Sequence, residues 1–137
     1  MLEAVIATSI VMIGILGIFI TSQETVLVVY LARDRLIAAY LAKEGMEVIR
    51  NIRDQNFLRG VTPWNAGISS STPAQLFIDG NGFYTTSTTA TTTKFTREII
   101  IAPTSDVDGI VYRINVRTIV RWAEHSFLVE ENLYNWR

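Results

Sequence analysis

The chain has no cysteine and a single histidine, His125. Without thiols there is no disulfide framework, no thiolate nucleophile and no cysteine zinc site. One imidazole excludes a multi-histidine metal centre and leaves little for acid–base chemistry. Neither sign of charge dominates. Twelve Lys and Arg are interspersed with 13 Asp and Glu, for a net charge of −1. No basic stripe of the kind that nucleic acid requires is present, so nucleic acid is not an expected partner. There is no Gly-rich phosphate loop, no Ser/His/Asp set and no pair of carboxylates in a cleft pattern. Nothing points to an enzyme, and no cofactor is expected. Asn-x-Ser/Thr sequons are absent as well. At 137 residues the chain is one domain plus an appendage.

What is there begins with a nearly charge-free run from Ala4 to Gln23, with one acid, Glu3, at its lip. As a helix such a run is about long enough to cross a bilayer. A carboxylate beside it is costly to place in hydrocarbon and is a functional suspect by default. Only Met1 and Leu2 precede Glu3, whereas Arg33, Arg35 and Lys43 follow the run. Read literally, the positive-inside rule puts the C-terminal part in the cytoplasm. A basic leader that once preceded the run and was removed is the alternative, and the preferred reading.

From Leu2 to about Asn56 there is no proline, and the pattern predicts one long helix over residues 1–56. Past Gln23, apolar residues fall at Val26, Val29, Tyr30, Leu36, Ile37, Tyr40, Leu41, Val48, Ile49 and Ile52, the spacing of a one-sided helix. Some 55 residues at ~1.5 Å each make a rod of roughly 80 Å, whose apolar half must project. Val26 to Ile52 are expected to face a sheet. Gly14 and Gly17 interrupt the apolar half, each costing roughly 1 kcal/mol of helix stability against alanine. They read either as close helix–helix packing beside Ala7, Thr8 and Ser9 or as a point where the helix melts on assembly.

Residues 58–73 read as loop, and a globular unit is expected over 57–137. Ala74–Asp79 and Phe83–Ser87 flank Gly80-Asn81-Gly82, a hairpin signal. Thr93–Ala102 reads as a strand with Phe95, Ile99 and Ile101 on one face. In Ile110–Trp122, Tyr112, Ile114, Val116, Thr118 and Val120 alternate with Val111, Arg113, Asn115, Arg117 and Ile119. Phe127–Trp136 supplies a last strand. Asp106–Gly109 and Ala123–Ser126 are the expected turns. The prediction is an α+β fold, a long helix packed on a four- or five-stranded antiparallel sheet whose core the helix completes.

These residues resemble the type IV pilin superfamily. Leu2-Glu3-Ala4-Val5-Ile6-Ala7, followed by Ile10-Val11-Met12-Ile13-Gly14-Ile15-Leu16-Gly17, is similar to the prepilin cleavage and methylation segment. Leu41 to Asp54 resembles the end of the family's long helix. Tyr112–Trp122 and Leu133-Tyr134-Asn135-Trp136 are more loosely similar to the sheet of minor pilins and pseudopilins. The resemblance implies a leader cut by a prepilin peptidase and a methylated N-terminal amine, which accounts for the missing basic flank. In the family the acid is the fifth mature residue; Glu3 departs from that by two positions.

The resemblance further implies a structural subunit of a pilus-like filament at the bacterial cell surface, held in the cytoplasmic membrane before assembly. Its partners would be copies of itself, the prepilin peptidase and an assembly platform. Glu3 of one subunit would pair with the N-terminal amine, here at Met1, of its neighbour. Val5, Ile6, Ile10, Val11, Ile13, Leu16, Ile18 and Phe19 would serve first as membrane anchor and then as filament core. A minor pilin or pseudopilin of a secretion or DNA-uptake machine is the alternative within the superfamily. A monomeric, membrane-anchored binding domain is the alternative outside it.

Weaker candidates remain. Asp106, Asp108 and Gly109 resemble part of a calcium loop, but too few oxygens fall at the required spacing, and a plain turn is preferred. The Thr85–Thr96 tract reads as a β-rich or mobile surface loop, with O-glycosylation as its functional alternative. Trp64, Trp122 and Trp136 read as packing residues, and His125 as a turn residue without chemistry.

Overall fold

The computed structural model describes residues 1–105 and 108–136. It shows an α+β fold: helix α1 (Leu2–Arg59), then β1 (Ala74–Ile78), β2 (Tyr84–Thr85), β3 (Thr91–Ser105), β4 (Val111–Trp122) and β5 (His125–Tyr134). The five strands form one antiparallel sheet in the order β2-β1-β3-β4-β5. By its contacts the chain divides into Met1–Leu36 and Ile37–Arg137, so the second half of α1 belongs with the sheet.

Helix α1 runs three residues beyond the expected end near Asn56. Gly60 stops it. With φ at 67° Gly60 adopts the left-handed conformation, its N–H bonds Phe57 O, and the next N–H, of Val61, bonds Asn56 O. This pair of bonds satisfies two carbonyls of the helix's last turn, and glycine takes the conformation without a Cβ penalty.

The face of α1 seated on the sheet is Ala38, Leu41, Ala42, Gly45, Met46, Ile49, Arg53 and Phe57. This corrects the expected core face. Val26, Val29, Tyr30, Leu36, Tyr40 and Val48 are exposed, and burial begins only at Ala38. The physical reason is backbone approach: small residues at positions 38, 42 and 45 let the helix sink onto the strands.

Two apolar clusters result. Ala38, Leu41 and Ala42 pack with Leu76, Phe95, Val120 and Trp122. Met46, Ile49 and Phe57 pack with Trp64, Ile114, Val116 and Leu133. The alternation expected along β4 holds from Ile114 on: Ile114, Val116, Thr118, Val120 and Trp122 are buried and their neighbours are not, whereas Tyr112, expected on the same face, is exposed. One face of an antiparallel strand meets the helix, and the other meets water.

Polar bonds tie the helix to the sheet at three heights. Arg97 Nη1 on β3 donates to Leu41 O and Glu44 Oε1, each at 3.2 Å. Arg50 forms a two-pronged ion pair with Glu131 of β5, with Nε 3.2 Å from Oε1, and also reaches Glu47 at 2.6 Å. The hydrogen bond that Arg50 donates to Glu131 chiefly holds its guanidinium above the ordinary range, with the nearby carboxylate charges adding to it and burial opposing. While Glu131 is ionised, a raised cationic pKa stabilises the fold below the ordinary guanidinium value and loses that contribution in stronger alkali. Near the end of α1, the Arg53 guanidinium lies 4.0 Å over Trp136, whose ring stacks 4.7 Å from Phe57. Trp64 continues the stack at 6.2 Å, and its Nε1 donates to Val111 O.

Candidate assembly segment

Every residue from Met1 to Arg33 is exposed. In this part of α1 apolar side chains point in all directions around the axis, which leaves no face to be satisfied by water alone. Val5, Ile6, Ile10, Val11, Ile13, Leu16, Ile18 and Phe19 are each more than half exposed, so all eight expected core residues stand on the open surface. Beyond the polar turn Thr21–Thr25 a second apolar stretch follows: Val26, Leu27, Val28, Val29, Tyr30 and Leu31 are also exposed. Six consecutive apolar residues wrap the helix completely. The one-sided reading of this stretch missed that, although the unbroken run in the sequence was the available signal. The helix is long and apolar enough to cross a membrane.

Hydroxyls inside the run are satisfied within the helix. Thr8 Oγ1 donates to Ala4 O and Ser9 Oγ to Val5 O, while Thr21, Ser22 and Thr25 donate to Gly17, Ile18 and Thr21 carbonyls at 2.9 Å each. These groups can therefore enter an apolar environment without unmet polar atoms. Glu3 cannot satisfy itself in that way. Its carboxylate lies in the first turn of α1, where the helix dipole favours an anion, and it has no partner among the described residues. Met1 begins the chain beside it, and Met1 O accepts from Val5 N at 3.4 Å.

At about 100° per residue, Glu3, Ala7, Ile10, Gly14, Gly17, Thr21 and Thr25 fall within roughly 80° of one another. One side of the helix thus carries the acid and the smallest residues together. Gly14, Gly17, Thr21 and Thr25 line a shallow groove there with Ile13, Ile18 and Ser22. The helix passes through Gly14 and Gly17 unbroken, and nothing lies within 4 Å of where a Cβ would stand at either.

The remaining candidates separate from this segment. Asp108 lies in the turn before β4, and Asp106 is outside the described residues. Among the described residues no group of three His, Asp or Glu could hold a metal ion. Thr86 to Thr89 form an exposed turn, but Thr93 Oγ1 is tied to Leu76 O at 2.7 Å, so the tract is part loop and part strand. Trp64 and Trp122 are buried, whereas Trp136 is 61% exposed and packs through its ring faces. His125 is not in the turn. The hairpin closes over Ala123-Glu124 alone, and His125 opens β5 opposite Trp122.

No family model matches the chain, and neither does a curated protein or a solved structure.

Proposed function

We propose that this protein is a structural subunit that polymerises through its apolar N-terminal helix into a pilus-like extracellular filament, after a stage anchored in the cytoplasmic membrane. The reading rests on the resemblance of the N-terminal segment to the type IV pilins. The observation that carries it is the apolar surface exposed on every side of α1 over Ala4 to Ile20, and again over Val26 to Leu31 beyond the polar turn Thr21–Thr25.

From Ala4 to Leu31 the two apolar stretches and the polar turn between them extend about 42 Å at ~1.5 Å per residue, against a hydrocarbon layer of roughly 30 Å. A bilayer that covers Ala4 to Gln23 leaves the Val26–Leu31 ring outside, beyond Glu24. An apolar ring open on all sides is not covered by one flat partner. A bundle of like helices covers it completely, and covers the rest of the run equally well. Lipid and such a bundle are similarly apolar, so passage from one to the other costs little net burial.

Glu3 gives the assembly its register. Left alone in an apolar bundle, a carboxylate costs several kcal/mol. Paired with the N-terminal amine of the next subunit, both charges are neutralised at one axial offset. The groove at Gly14, Gly17, Thr21 and Thr25 on the same side supports close approach of that neighbour. Prepilin peptidase and a membrane assembly platform are the partners this role requires.

Glu3→Ala tests the reading. The variant should enter the membrane and fold its sheet domain normally, yet give no filaments in negatively stained, sheared cell-surface material. Filaments of normal length and number from that variant would refute the pairing.

A further inference from the structure

We propose that Phe83, on the turn between β1 and β2, seats in a cavity beside the end of α1 in a second copy of this chain, so that the Ile37–Arg137 units join end to end. The inference rests on the polymer reading above and adds to it a contact that the N-terminal helix does not make.

The cavity is an open cleft of about 550 Å³, with apolar walls at Phe57, Val61, Pro63 and Ile110 and two amides, Asn65 and Asn135, among them. Among the described residues no charged side chain lines it. Asn65 Oδ1 is buried and has no hydrogen-bond partner. An unmet buried acceptor in such a cleft favours an occupant that brings an N–H donor beside an uncharged, apolar body.

The same unit carries a side chain of that kind. Phe83 is 69% exposed, and it is the one phenylalanine of residues 37–137 that stands on the open surface. Its turn is firmly closed. Asp79 N donates to Phe83 O and Gly82 N to Asp79 O, while Asn81 N and Phe83 N both donate to Asp79 Oδ1. A side chain held in this way docks with little further ordering cost. Gly80 N has no partner among the described residues, which leaves a donor on the same turn. Charge does not oppose the fit: Asp79 accompanies Phe83, whereas Arg59 and Asp108, one of each sign, adjoin the cavity residues in sequence.

Strand β3 separates the two features. Ile78, next to the turn, pairs with Thr91 at the start of β3, and Val111, in the cavity wall, pairs with Ser105 at its end. At ~3.3 Å per residue they stand roughly 45 Å apart. No side chain spans that distance, so Phe83 reaches only the cavity of another copy. A contact between different patches of two copies is heterologous, and it propagates along a row of copies instead of closing in a two-fold pair.

The test uses the full chain in cells and exploits its lack of cysteine. Gly80→Cys, where an added Cβ meets open space, and Thr62→Cys, at an exposed position of the cavity wall, leave Phe83 in place. A short bismaleimide applied to intact membranes and to sheared surface material should join the doubly substituted chains into dimers, trimers and a ladder of larger species. Either thiol alone should give nothing beyond a dimer. Phe83→Ala in the double background should slow the ladder at least tenfold, the loss of one aromatic anchor, with the thermal midpoint of the sheet domain unchanged. Electron microscopy of the same cells keeps the two readings apart. A ladder without filaments would support the contact and sink the polymer reading. Absence of the ladder would overturn the contact, and filaments in that sample would leave assembly through the helix standing. A ladder indifferent to Phe83→Ala, or cross-links to a different protein in its place, would overturn the contact as well.

Discussion

Gly45 of α1 lies so close to Thr118 of β4 that a methyl group at position 45 would stand 2.9 Å from Thr118 Cγ2. Arg97 Cδ at 3.1 Å and Ile99 Cδ1 at 3.5 Å close the other sides. Thr118 is fully buried and stiff at χ1, so it has little room to give. Two effects oppose one another in Gly45→Ala. Helix propensity favours alanine by roughly 1 kcal/mol, whereas overpacking costs about 1–3 kcal/mol. Overpacking should win, leaving a net loss of about 1 kcal/mol by denaturant unfolding. Thr118→Ser removes the clashing methyl and should recover most of that loss in the double variant. A gain in stability from Gly45→Ala alone would show that the contact is not tight.

Thr118 also carries a cost of its own. Its Oγ1 is buried and has no hydrogen-bond partner. An unmet buried hydroxyl costs about 1–3 kcal/mol, and a methyl of nearly the same shape removes that penalty. Thr118→Val should therefore stabilise the sheet domain by about 1 kcal/mol, or about 4 °C in Tm. Calorimetry on the single variant checks it; an unchanged or lower Tm would mean the hydroxyl is satisfied in solution.

Much of the architecture was readable because two periods were clean. β4 alternates strictly from Ile114 on, one face being buried under α1, and the long helix meets no proline before Pro63. The helix seat was harder. The eye follows large apolar residues such as Tyr40 and Val48, yet the contact is made through Ala38, Ala42 and Gly45, where small size is the determinant. Arg50 and Glu131 lie 81 residues apart, and no local pattern announces their pairing. The end of α1 had a signal in Gly60 that outweighed the fading periodicity after Ile52. Of the candidate assembly segment, Glu3 and the run to Gln23 were legible from composition. The extension to Leu31 was hidden because an all-round apolar stretch still contains positions at 3,4-spacing.

The β4–β5 hairpin holds a strained residue. Ala123 has φ at 45°, in the left-handed region, at the first of two loop positions. An L-residue with a Cβ pays roughly 1–2 kcal/mol there, and glycine avoids it while losing more chain entropy on folding. Ala123→Gly should be net stabilising by about 0.5 kcal/mol. Ala123→Val, β-branched and ill suited to positive φ, should destabilise by more than that. Equal thermal midpoints for all three would show that the turn relaxes.

Leu27 and Leu31 distinguish anchoring from assembly. Both are exposed, at 68% and 44%. Replacing both with Glu should therefore leave the thermal midpoint of the sheet domain unchanged. Membrane insertion should survive as well, since the Ala4–Gln23 run is intact and is long enough to span a bilayer by itself. Filament formation should not survive. In a bundle of like helices each new carboxylate would be buried without a partner, at a cost of several kcal/mol per subunit and repeated at every contact. Membrane fractionation, a melt of the sheet domain and electron microscopy of sheared material separate the three outcomes. If the doubly substituted chain still forms abundant fibres, the ring at Val26–Leu31 faces solvent in the assembly, and the helices pack only through the segment nearer Glu3.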